Sequence, residues 1–394
     1  MKNTLIVLAI LLFFISAVIN VYIFRKEQIR RKEAQEVTDV LQAQNRDYKE
    51  QLEQYYLQEA AAGIRGLGFL KAVPFKEINR QEINKMITEK ANEEIKVTDQ
   101  RILRKFGFLK PGEDIIPHIA ALYGEQVQGM YDEEAKEMIM VKGTPLSGNL
   151  QRMFLVHELV HALQDQYYDL LSLPLGSDNY DRALASLALI EGDATMSMFQ
   201  YYKDNMSIYR IFNDLLSYLA VDQSELAGSP YYLRETLLFP YKYGTRFVSA
   251  IYQKSGWPGV NAVYQKIPES SEQIMHLERY PEDKPVDVAI DETIPGWEMV
   301  NSGTAGEFNI KVLLAGYLGE YASLRPAEGW GGDKWQVWED PETKKLKVIW
   351  YIVWDSKEDA DEFYNTFRRF IGKRYPYMDR VRIIRSGDKM KIYW

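Results

Sequence analysis

Four histidines occur in the chain, and two of them stand four residues apart in the run MFLVHELVHALQDQYYDL. On a helix, His157 and His161 lie one turn apart on the same face, so both imidazoles can reach one metal ion. Glu158 is rotated about 100° from His157 at 3.6 residues per turn. That places it poorly as a ligand, but well beside a metal-held water whose proton it could take. Leu155, Val156, Leu159, Val160 and Leu163 make the segment apolar around most of its circumference, which predicts a buried helix. Buried imidazoles and a carboxylate need partners, and a metal supplies them. The competing reading is two core histidines satisfied by hydrogen bonds.

A catalytic zinc takes three protein ligands and leaves a position open. No further histidine follows closely, so the third ligand is sought on the next helix, in LALIEGDATMSM. Glu191 sits there in an apolar stretch where a lone carboxylate is costly without a cation. Gly192 beside it removes a side chain where two helices would approach closely. The alternative for Glu191 is a carboxylate on a solvated helix surface.

HELVH followed by a helix bearing Glu191 resembles the gluzincin superfamily of zinc metallopeptidases, whose core is thermolysin-like. The stretch HELVHALQDQYYDL and the later IEGDAT are similar to a largely uncharacterised group of prokaryotic metallopeptidases. YDEEAKEMIMV before the helix and SSEQIMHLERY after it resemble that group too. The resemblance covers about residues 60–360, with HELVH…EGDA its most specific part. It implies that His157, His161 and Glu191 bind one Zn²⁺ per chain and that Glu158 is the general base. Zinc would polarise a scissile carbonyl and lower the pKa of water to about 7, with Glu158 moving the proton to the leaving amine.

The pattern departs from thermolysin at Thr195, where an aspartate would orient a zinc histidine. Asp165, one turn beyond His161, or Asp193 could take that role; a salt bridge or a surface position is the alternative for each. Gluzincins use a His or Tyr to stabilise the oxyanion. His276, Tyr241 and Tyr243 are the candidates, each with an ordinary core or surface role as the competing reading. His118 reads as structural or surface, with no function implied.

These side chains need elements to position them. Two long helices are expected at roughly 149–168 and 181–205, the first capped by Ser147 or Asn149 after Pro145. Just upstream, Gln128–Tyr131 and Glu137–Val141 read as the strands of a β-hairpin. Its edge could pair with an extended peptide, and the resemblance also places a strand there. Later helices are expected at 244–255, 258–266 and 306–322. From Trp330 the texture changes: WQVWED, KLKVIWYIVWD and RVRIIR alternate like strands, around an amphipathic SKEDADEFYNTFRRFIG. The expected fold class is α+β. The expected domains are an anchor at 1–24, a helical stalk at 25–62, a zinc metallopeptidase domain at 63–325 and a carboxyl-terminal α+β unit at 326–394.

The chain of 394 residues is 46% apolar and carries a formal charge of −8. That balance argues against a broad nucleic-acid-binding surface. It has no cysteine, which excludes a disulfide framework, thiolate zinc ligands and a thiol nucleophile. No phosphate-binding glycine loop and no G-x-S-x-G elbow appears. Thr4–Phe24 is uncharged and would span roughly 30 Å as a helix, the thickness of a bilayer core. It is expected to be a single-pass anchor in the cell membrane, with a cleaved signal peptide as the alternative. The charges around it leave the side open; a signal-anchor would put the bulk of the chain outside, the preferred reading. Val37, Leu41, Tyr48, Leu52 and Tyr55 give residues 25–62 a thin apolar stripe, suited to self-association or to lying on the catalytic domain. The expected function is hydrolysis of peptide bonds in a peptide or protein substrate. The alternatives are an inactive zinc-bearing assembly factor and a hydrolase of non-peptide amides or esters.

Overall fold

The computed structural model describes residues 2–94, 97–119, 128–144, 149–176, 179–205, 228–375 and 381–394; of residues 2–24 only the helical backbone is described. The apolar anchor expected at 4–24 therefore lies outside the residues whose side chains are described, as does the cap expected of Ser147 or Asn149. Among the described residues no helix is long and apolar enough to cross a membrane.

The chain divides into two compact units, Met1–Tyr56 and Leu57–Trp394. The first is the greater part of helix α1 (Lys2–Arg65). Within it the stripe residues Val37, Leu41, Tyr48 and Tyr55 are exposed. The second unit is α+β and holds everything that follows.

It begins with β1 (Phe75–Ile78), α2 (Arg80–Glu94) and α3 (Val97–Phe106), then the hairpin β2 (Gly129–Asp132) and β3 (Glu137–Val141). Asp132 closes the turn by accepting from the N–H groups of Glu134 and Ala135. β3 is the centre of a three-stranded sheet, with β1 parallel on one side and β2 antiparallel on the other. β2 is an edge. Val141 N–H donates to Gln128 O at 2.9 Å, so the alternating residues Gly129 and Tyr131 turn their backbone groups away from β3.

The two long helices follow: α4 (Asn149–Tyr168) and α5 (Tyr180–Asn205). Leu155, Val156, Leu159, Val160 and Leu163 are all buried, and they pack with Leu57 and Ala61 from the end of α1. Next come α6 (Tyr231–Phe239), a π-helical turn at Pro240–Gly244, α7 (Thr245–Val263) and the short α8 (Ser271–Met275). The two helices expected at 244–255 and 258–266 are the two segments of α7, separated at Gly256, whose φ of 63° and ψ of −165° break the helical path just before Pro258.

The remaining elements are β4 (Glu298–Gly303), α9 (Gly306–Leu318), the short α10 (Leu324–Ala327), β5 (Trp330–Glu339), β6 (Leu346–Trp354), α11 (Lys357–Arg374), β7 (Arg382–Ser386) and β8 (Lys389–Tyr393). They build an antiparallel sheet in the order β4-β5-β6-β8-β7. The sheet thus recruits a strand from upstream of the expected boundary at 326. α9 stops at Leu318, short of the expected 322, because Gly319 turns away with a φ of 90°. Phe363, Phe367 and Phe370 of α11 pack on Trp330, Trp350 and Trp354. The buried Asp333 accepts from both Trp330 Nε1 and Trp350 Nε1 and from the N–H groups of Ala305 and Gly306. One carboxylate thereby ties the sheet to the start of α9.

Candidate metal centre

α4 presents His157 and His161 on one face, and α5 brings Glu191 against them. The two Nε2 atoms are 3.0 Å apart. Glu191 Oε2 lies 3.2 Å from His157 Nε2 and 3.6 Å from His161 Nε2. Among the described residues this is the one cluster of three or more such side chains whose donor atoms converge on a point. Ligands of a tetrahedral zinc, at about 2.0–2.1 Å from the ion, stand about 3.3–3.4 Å apart. The three observed separations bracket that edge.

Among the described residues, the buried Glu191 Oε2 meets no hydrogen-bond partner outside the two histidines. Two imidazole nitrogens facing each other cannot both be content with lone pairs, so a proton or a metal belongs between them. Burial alone would push the His161 imidazolium down, but the Glu191 carboxylate beside it wins and holds the ring up at about 9. Burial would likewise raise the Glu191 carboxyl; His161 and His157 outweigh it and hold it well below the usual carboxylate range.

The approach of α5 is set by glycine. A Cβ on Gly192 would run into the carbonyl of Gly244, and a Cβ on Gly244 into the carbonyl of Ala188. α5 and the π-helical turn therefore meet backbone to backbone, and that turn carries Tyr241. Its ring stacks over His157, with centroids 6.4 Å apart and planes at 30°. π-helical turns of this kind occur often at functional sites.

Glu158 Oε2 accepts from the backbone N–H of Tyr131 at 2.9 Å. The carboxylate is partly exposed and close enough for its charge to act on His161. It thus stands between the His157–His161–Glu191 cluster and the outward-facing edge of β2.

The other expected residues go elsewhere. Asp165 is buried and accepts from the Tyr131 hydroxyl at 2.7 Å, from Lys136 Nζ at 2.8 Å and from Leu170 N–H at 3.2 Å. It anchors the hairpin to α4; its hydrogen bonds among the described residues do not reach His157 or His161. Asp193 is buried against Arg65, 2.7 Å from its Nε, and accepts from the Tyr264 hydroxyl at 2.9 Å. It joins the end of α1 to α5 and α7. His276 pairs with Glu307 at 3.0 Å, and the Tyr243 hydroxyl accepts from Lys311 Nζ at 2.9 Å. Neither makes a contact with the triad among the described residues. Of the three oxyanion candidates, Tyr241 is the one whose described contacts include a histidine of the cluster.

Sequence reasoning missed the residue that does hold His161. Gln164 Oε1 lies 2.8 Å from His161 Nδ1, and Gln164 Nε2 donates to Ile190 O at 2.9 Å. The available signal was its spacing of three residues from His161, which puts it on the same helical face.

A family model described as a domain of unknown function (DUF8575) matches residues 292–392, the span of the five-stranded sheet with α9 and α11. It leaves the metal centre outside its match. No curated protein and no solved structure matches the chain.

Proposed function

We propose that this chain is a zinc-dependent metallopeptidase of the gluzincin type. The observation that carries the reading is the convergence of His157 Nε2, His161 Nε2 and Glu191 Oε2 within 3.0–3.6 Å of one another, with Glu158 one position along the same helix. A bound zinc ion would supply Lewis acidity, polarising a carbonyl and lowering the pKa of water to about 7.

The rest is the work of this chain's side chains. Glu158 takes a proton from the attacking water and hands it to the leaving amine. One of its oxygens is fixed by Tyr131 N–H, which leaves the other for that transfer. With Tyr131 N–H taken by Glu158, the backbone N–H and C=O of Gly129 and the C=O of Tyr131 face outward, and β-strand addition at this edge would lay a peptide alongside Glu158. Tyr241, whose ring stacks on His157, would donate to the developing oxyanion. Residues 4–24 would tether the enzyme to a membrane, which alkaline carbonate extraction of the full-length protein checks: release into the wash contradicts the anchor.

Metal analysis and hydrolysis of mixed peptides by the detergent-solubilised full chain test the function. About one zinc per chain and chelator-sensitive cleavage are expected. A chain that holds zinc and hydrolyses amides or esters but no peptide refutes the peptidase reading, and one that binds no zinc refutes the metal centre.

A further inference from the structure

The metal centre has one buried side chain that reaches both of its helices. Gln164 is fully buried, one turn beyond His161 on α4, and its two amide atoms contact different helices. Nε2 donates to the carbonyl of Ile190 on α5; Oε1 faces His161 Nδ1. Ile190 immediately precedes Glu191.

These contacts leave no freedom in how protons are arranged. A backbone carbonyl can only accept, so the amide must turn its NH₂ group toward Ile190. Its oxygen then faces His161, and an amide oxygen can only accept. Once the proton shared with His157 and Glu191 has left, the neutral His161 ring must therefore keep its proton on Nδ1 and present a lone pair on Nε2. Nε2 is the nitrogen that meets His157 and Glu191. The acceptor at Ile190 thus determines, through one amide, which nitrogen of His161 is free to bind a metal.

The same amide links the position of one ligand to that of another. The Ile190 carbonyl is rigid within α5, and Glu191 is the next residue. A shift of α5 along α4 would break the Gln164 bond at the moment it displaced Glu191. His157 has no comparable support among the described residues, where its buried Nδ1 meets no hydrogen-bond partner. Asp165, the neighbouring residue, points toward Tyr131 and Lys136 and cannot substitute.

We propose that Gln164 is the positioning residue of the metal centre: through Ile190 O it fixes the Nδ1–H tautomer of His161 and the register of Glu191 against the two histidines. This rests on the metal-centre reading above and not on peptide being the substrate. Groups that orient metal-bound histidines are worth about 10–100-fold in metal affinity.

The test uses the full chain loaded with Zn²⁺, with affinity read by chelator competition and the His161 ring read by ¹⁵N-edited NMR. In the parent, His161 Nδ1–H should appear as a protected, hydrogen-bonded proton. Gln164→Met keeps the volume and removes both hydrogen bonds; zinc affinity should fall about 10–100-fold and that proton signal should be lost. A folded Gln164→Met that keeps the parent's affinity and the Nδ1–H signal overturns the proposal. Should Gln164→Met not fold, Gln164→Glu decides, because it retains an acceptor for His161 but no donor for Ile190. The signal should then persist while the affinity falls, and its disappearance from folded protein overturns the proposal. A parent that binds no Zn²⁺ overturns this inference together with the metal centre; a parent that binds Zn²⁺ but cleaves no peptide overturns the peptidase reading alone.

Discussion

Among the described residues, Glu158 is held by one backbone N–H, from Tyr131 at 2.9 Å. A glutamine at 158 could accept that same bond with its amide oxygen, so Glu158→Gln should fold and hold zinc as the parent does. What it cannot do is accept a proton. We predict a loss of about 10²–10⁴-fold in peptide hydrolysis, the usual worth of a general base, with zinc content unchanged. Turnover close to the parent's would assign the base elsewhere. Tyr241 and Tyr243 invite a paired test, since both lie on the π-helical turn but only Tyr241 stacks on His157. Tyr241→Phe should lower kcat by about 10²–10³-fold, as loss of an oxyanion donor does, with little change in KM. Tyr243→Phe removes a hydroxyl that already accepts from Lys311 and should leave kcat near the parent value; equal losses in the two variants would contradict the assignment. At this scale the sequence was legible where chemistry follows from spacing along one helix, as for His157, Glu158 and His161. It was not legible where a partner depends on the packing of two helices. Asp165 has a suitable charge one turn past His161, yet its carboxylate is drawn to Tyr131 and Lys136, and the Ile190 carbonyl that recruits Gln164 cannot be foreseen from the run HALQDQ.

Helices α4 and α5 were readable because each is long, apolar on its packed faces and free of glycine and proline except where contact demands it. Gly192 is that exception, and its reading as a point of close approach matches its position against Gly244. We predict that Gly192→Ala destabilises the protein by about 1–3 kcal/mol, as overpacking does, and weakens zinc binding because Glu191 is adjacent. Gly63→Ala is the control. Gly63 lies in helix α1 with nothing near its absent Cβ, so that change should be neutral or stabilise by up to about 1 kcal/mol. Denaturant midpoints and chelator competition on both variants would decide, and a harmless Gly192→Ala would remove the packing argument for Glu191. β4 and β8 show what a single sequence withholds. GluMetValAsnSerGly, residues 298–303, has little apolar alternation of its own; it is a strand because β5 offers an open edge. LysMetLysIleTyr, residues 389–393, does alternate, but its role is fixed by pairing with β6 and β7 at once.

On the scale of the whole second unit, carboxyl groups are buried where its parts join. Asp181 opens α5, is almost fully buried, and accepts from Ser271 N–H at 3.0 Å while packing against Gly306. It therefore links α5, α8 and the start of α9. Glu272 on α8 is buried too, 2.6 Å from Arg279. Burial pushes Asp181 up from 3.8 to about 8, helped by the neighbouring Asp333 and Glu307 and opposed by the Ser271 bonds. Burial pushes Glu272 up from 4.5 to about 9, with Glu307 adding to it and Arg279 opposing. The consequence for stability has a definite sign. Below about pH 4 both folded and unfolded chains hold these protons, and the groups are neutral in either state. Between the ordinary value and the raised one, only the folded chain holds the proton, so unfolding releases it and stability falls as pH rises. Above about 8 for Asp181 and 9 for Glu272 that contribution is fully lost. We predict that the denaturant midpoint of the parent declines between pH 5 and pH 8. Asp181→Asn keeps a neutral acceptor for Ser271 N–H and has no proton to lose, so its midpoint should decline less over the same range and approach or exceed the parent's at pH 8. The measurement is a set of urea titrations at fixed ionic strength, since salt screens the weaker surface pairs that also titrate. Parallel pH profiles for parent and variant would show that Asp181 is already ionised in the folded protein, held by Ser271 and by groups of opposite charge.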